Sequence, residues 1–131
     1  MKWFFFVNVF VLLGAGSAWA GDGFTNSLIR AERAANHGNV ARAAAIYNSI
    51  FPMETNNASN LCVLARRYCD LTCLASSISD QKDLVGRALH CARLAEALDP
   101  TNATAHASVA VCYAKSCAWV DVKTELAYSR L

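Results

Sequence analysis

Six cysteines and three histidines carry most of the reactive chemistry this chain could perform. The thiols are Cys62, Cys69, Cys73, Cys91, Cys112 and Cys117, and an even number is compatible with up to three disulfides. Cys69 and Cys73 stand one helical turn apart, side by side on one element, where a bridge would strain both ends. A cross-helix pair such as Cys73–Cys91 is open, but spacing cannot set connectivity. A metal site would draw on Cys69, Cys73, Cys91 and His90, yet the chain has neither a C-x-x-C pair nor the haem-attachment C-x-x-C-H. The third reading makes each cysteine a small apolar filler where closely packed helices elsewhere use alanine. No cofactor and no metal ligand set are assigned on these residues.

The imidazoles suggest structural roles. His37 precedes Gly38 and reads as the C-terminal cap of a helix, and His106 reads as a hydrogen-bonded packing residue. A catalytic histidine needs a nucleophile and an orienting acid around it, and no local pattern provides them. The chain is therefore read as a non-enzyme with no catalytic residues. Asn57-Ala58-Ser59 and Asn102-Ala103-Thr104 match the glycosylation acceptor pattern. They matter as such only in a eukaryotic source and are otherwise loop and cap residues.

The elements that must position these groups begin after a leader. Lys2, the apolar run Trp3–Leu13 and the small-x-small Ala18-Trp19-Ala20 read as residues 1–20 of a signal peptide, with the mature chain starting at Gly21. The run is shorter than the roughly 20 residues a membrane span takes. Contact with a membrane is thus expected only in transit, and the chain is read as exported: periplasmic in a Gram-negative cell, otherwise secreted. Export would place the thiols where disulfides persist. The formal net charge of +2 falls by one with Lys2, and a near-neutral balance argues against nucleic acid as a partner.

Residues 21–131 are one domain of alanine-rich, 3.6-periodic segments with no strand-like alternation, so the fold class is all-α. Six helices are expected. The first covers about 25–36 and ends at His37-Gly38. The second, 40–51, is capped by Asn39 and stopped by Pro52, and the third follows a cap at Ser59 or Asn60. Asp80 is the expected cap of the fourth, Thr101 or Asn102 that of the fifth, and a sixth starts near Asp121. Gly38, Val40, Ala43 and Tyr47 match Asp83, Val85, Ala88 and Ala92 at a constant offset of 45. A further shift of 34 lands on Cys117, Trp119, Val122 and Leu126.

"HGNVARAAAIYNSIF" and "RLAEALDPTNATAHASVAVCYAK" resemble tetratricopeptide repeats, whose helix–turn–helix unit is about 34 residues long. The likeness covers roughly 25–55 and 83–117. "DPTNATAHASVAVCYAK" with "DVKTELAYSRL" resembles, more narrowly, bacterial exported relatives of the regulator of microtubule dynamics family. That resemblance implies an α–α superhelix of helix pairs, no catalytic residues, and further helices beyond Leu131, so the repeat domain is expected to be incomplete at its C-terminus.

Such a fold implies a scaffold that binds a protein or peptide along its concave face. The aligned groove candidates are Glu32, Ser77 and Val111, then Asn36, Gln81 and Lys115. They form no basic clamp for a carboxylate terminus. Two other functions remain open on this reading: a cysteine-based redox or metal-binding helical protein, and a microtubule regulator by family analogy. Export argues against the second.

Overall fold

Asparagine and serine side chains set where four of these helices begin. In the computed structural model, which describes residues 23–120 together with 123, 124 and 127, α1 spans residues 23–36 and α2 spans Val40–Ile50. They are followed by α3 (Ala58–Thr72), α4 (Ile78–Leu98) and α5 (Ala103–Ser116). Short 3₁₀ turns follow α2 at Phe51–Met53, where Pro52 breaks the helix, and α5 at Cys117–Trp119. The fold is all-helical, with five packed helices and no strand among the described residues. Lys123, Thr124 and Ala127 are helical, as the expected sixth helix requires. The remainder of the expected sixth helix, and the expected leader, lie outside the described residues.

Each N-cap satisfies backbone N–H groups that the first turn leaves without partners. Asn39 Oδ1 accepts from the Arg42 N–H, and Asn102 Oδ1 from those of Thr104 and Ala105, at 3.0 and 3.1 Å. Two expected caps are displaced. Helix α3 is capped by Asn57, which accepts from the Asn60 N–H at 3.0 Å, so Ser59 and Asn60 lie within the helix. Asn60 instead donates its amide to Glu54 Oε2. Helix α4 is capped by Ser77, whose hydroxyl accepts from the Asp80 N–H. Asp80 thus lies in the first turn, where its charge complements the helix dipole. Both acceptor-pattern asparagines, Asn57 and Asn102, are caps.

At the end of α1 the Asn39 N–H reaches the Ala34 carbonyl (2.9 Å) and the Gly38 N–H that of Ala35 (2.8 Å). These are the paired bonds of a Schellman motif, and Gly38 takes its left-handed position at φ +74°. His37 holds the cap position just before it.

Helix α3 is the hub. Leu61, Leu64, Ala65, Tyr68 and Leu71 are buried along it, and it packs against α2, α4 and α5. Side-chain links run in two rows. Glu32 pairs with Arg67 between α1 and α3, and Lys115 reaches Thr72 between α5 and α3. In the other row Arg87 of α4 donates to Asn48 of α2 (3.1 Å), and His90 lies against Phe51, 5.4 Å between rings. Tyr68 joins the rows, donating to the same Asn48 Oδ1 at 2.6 Å and meeting Tyr47 edge-on.

The 45-residue offset pairs α2 with α4, and Ala43, Tyr47, Ala88 and Ala92 are all buried. It does not pair their turns: Gly38 is a turn residue, whereas Asp83 lies inside α4. The reason is length, 21 residues in α4 against 11 in α2. Accordingly α1, α3 and α5 end at residues 36, 72 and 116, and the wider interval is the later one. Of the weaker copy, Cys117 and Trp119 fall in the 3₁₀ turn, while Val122 and Leu126 lie outside the described residues.

Two glycine substitutions should move stability in opposite directions. Gly38→Ala forces a Cβ into the left-handed region and should cost about 1 kcal/mol. Gly86→Ala, inside α4 where an added Cβ meets nothing within 4 Å, should stabilise by roughly 0.5–1 kcal/mol. Urea unfolding of the two variants checks both signs.

Candidate functional site

The chemistry-bearing side chains meet between α3 and α5. Cys69 of α3 and Cys112 of α5 face one another with Sγ atoms 3.7 Å apart, 5% and 0% exposed. Just past the end of α3, Cys73 is exposed, with Lys115 Nζ 3.7 Å from its sulfur. Lys115 also donates to Thr72 Oγ1 at 3.3 Å, while the Thr72 hydroxyl donates to the Cys69 carbonyl. A cavity of about 350 Å³ opens between the two helices. Cys62, Ala65, Arg66 and Cys69 form one wall, and Val111 and Lys115 stand on the other.

The two facing thiols are not equivalent. A hydrogen bond from Cys112 holds the Cys69 thiol below its usual range, with the Lys115 charge acting the same way and burial opposing both. Cys112 is pushed up, by that same bond and then by burial. Burial alone raises Cys62 and lifts Cys91 to about 12. The thiol that meets another is therefore Cys69 with Cys112, while Cys73 faces Lys115 and Cys91 sits in the core. Among the described residues no three His, Cys, Asp or Glu side chains converge as a metal site.

The six groove candidates separate. Val111 and Lys115 line the α3–α5 cavity. Glu32 is engaged by Arg67, and Asn36 is exposed on the last turn of α1. Ser77 and Gln81 belong to the start of α4, in the other row. Ser77 is its cap, and Gln81 donates its amide to the Ala75 carbonyl at 3.0 Å. The α3 wall, Cys62, Ala65, Arg66 and Cys69, is missing from the sequence-derived groove, because the offsets of 45 and 34 that align the candidates carry Glu32 to Ser77 and Val111 and pass over α3. The signal was the i, i+4 pairing of Cys62 with Arg66 and of Val111 with Lys115. Using it requires knowing that alternate helices are neighbours.

His106 is hydrogen-bonded as expected, but as an exposed tie and not as a packing residue. Its Nδ1 lies 2.8 Å from Glu96 Oε1 and its Nε2 2.7 Å from the Pro100 carbonyl. Both partners are acceptors, so the ring satisfies them best as the doubly protonated cation. Its pKa is raised accordingly, first by the Pro100 carbonyl and then by Glu96. Glu96 also binds Arg93, which lowers the pKa of its carboxyl. Arg93 continues to the Tyr113 hydroxyl at 2.6 Å, completing a surface network between α4 and α5.

The chain matches no protein-family model, and neither a curated protein nor a solved structure matches it. No described helix is long and apolar enough to cross a membrane.

The His106 tie predicts a pH dependence. A raised folded-state pKa contributes stability that is complete below the unfolded value, about 6.5, and is lost as pH rises through the folded value. The lowered Glu96 pKa acts in the opposite sense, its contribution being lost only on acidification below the ordinary carboxyl range. His106→Ala should therefore lower the urea midpoint more at about pH 5.5 than at about pH 8.5. Equal losses at both would contradict the assignment.

Proposed function

We propose that the chain is a non-catalytic helical-repeat scaffold of tetratricopeptide type, working in an exported compartment and holding a segment of a protein partner between α3 and α5. The observation that carries this reading is the cavity between two helices of one row, with apolar walls and a charged rim. Val111 is 49% exposed there, although its neighbours on α5, Val109 and Cys112, are buried. Arg66 and Lys115 stand at the rim with Asp70. The Asp70 carboxylate lies 3.9 Å from Arg67, so part of its charge is already matched. The rim is left net positive. The segment that fits inserts an aliphatic side chain beside Val111 and carries an acidic side chain toward Arg66 and Lys115. The alternation of rows, with α1, α3 and α5 linked in one and α2 and α4 in the other, supports the superhelical reading.

Peptides selected from a random display library against the purified chain test this. Val111→Asp should weaken a selected peptide at least tenfold without lowering Tm, because the side chain is half exposed. Met53→Asp, at a site 71% exposed and away from the cavity, should leave binding unchanged. Binding that survives Val111→Asp and is lost with Met53→Asp would overturn the proposal.

A further inference from the structure

We infer that Cys69 and Cys112 are a dithiol built to close into a disulfide, a redox-controlled staple that locks α5 to α3 beneath the groove. The inference rests on thiol geometry and holds whether or not the groove takes a partner. Four observations carry it. First, the sulfurs already face one another across two helices at 3.7 Å, and closing to bond length asks for less than about 2 Å of movement. That relation contrasts with Cys69 and Cys73, which stand one turn apart at the C-terminal end of α3. Second, the site has an entrance, since Cys69 lines the α3–α5 cavity while Cys112 is sealed behind it. Third, Lys115 stands over this entrance, against Cys73 and Thr72, where its charge favours a thiolate. Fourth, the two cysteines are 43 positions apart, and the chain between them includes all of α4. A bridge between them would remove much of the unfolded chain's freedom.

The oxidant is a small-molecule disulfide such as oxidised glutathione. The Cys69 thiolate attacks one of its sulfurs, an S–S bond forms to Cys69, and the first glutathione thiolate leaves. Cys112, once deprotonated, attacks the Cys69 sulfur. The Cys69–Cys112 bond forms and the second glutathione thiolate leaves. Two electrons pass from the cysteines to the oxidant, and the two protons released by the thiols end on the two glutathione thiols. The lowered pKa of Cys69 agrees with its acting first.

Reduced full-length chain is equilibrated with oxidised glutathione, its remaining thiols are blocked with iodoacetamide, and it is digested with trypsin. The expected product joins the tryptic peptide 68–82, which holds Cys69 and Cys73, to peptide 94–115, which holds Cys112. The cross-link should persist in Cys73→Ser, which changes an exposed side chain and leaves folding intact, and vanish in Cys69→Ser. The oxidised chain should melt roughly 10 °C or more above the reduced one, and dithiothreitol should reverse the shift. Alkylated Cys69 and Cys112 without a cross-link overturn the inference. So does loss of the cross-link in Cys73→Ser, or an oxidised chain that melts no higher than the reduced one.

Discussion

Close approach of helices through alanine is the constraint on which the rest of this molecule depends. Ala88, Ala92 and Ala95 lie along one face of α4 with no exposed surface, and α4 packs against both α3 and α5. Ala31, Ala43 and Ala105 are equally buried on α1, α2 and α5. A methyl group holds helix axes near the short end of the usual 8–10 Å range. Each such contact contributes little hydrophobic free energy, because little apolar area is buried per residue. The larger contributions come from a few side chains set among the alanines, chiefly Tyr47, Ile50, Leu61, Leu64, Tyr68 and Leu71.

Several other features follow from that close packing. Helix α4 holds α3 and α5 at a spacing where two cysteines touch and a shallow cavity remains between them. Its 21 residues widen the interval between the ends of α3 and α5 and carry Arg93 and Glu96 to the surface, where they meet Tyr113 and His106 of α5. The polar links lie at the edges of the packed faces: Glu32 with Arg67, Asn48 with Arg87, Thr72 with Lys115. The alanine faces set the separation of the helices, and these links together with the caps set their register. No buried side-chain nitrogen or oxygen among the described residues lacks a hydrogen-bond partner, as a core filled mainly with alanine, leucine and cysteine allows.

What could be read from the sequence was local. Helix existence, the Gly38 turn, the Asn39 cap and the Pro52 stop after α2 depend on residues within one turn of each other, and they stand as read. The caps of α3 and α4 were displaced because Asn57, Ser59 and Asn60, like Ser77 and Asp80, compete for one role. Which of them wins depends on where the preceding loop leaves the chain. The cavity between α3 and α5 was only half legible. Val111 and Lys115 signal an exposed stripe on α5, but their opposing wall on α3 shares its helix with the core stripe. Pairing Cys69 with Cys112 required the row order of the helices, a tertiary fact that no spacing within the chain encodes.

The packing claim is tested most directly by enlarging one alanine on each side of α4 and measuring urea unfolding. Ala92, fully buried, and Ala97, exposed on the same helix, differ in burial but little in helix propensity. Ala92→Leu should cost about 1–3 kcal/mol through overpacking. Ala97→Leu should change stability by no more than about 0.5 kcal/mol. Comparable, small effects at both positions would contradict close packing through alanine as the basis of this fold.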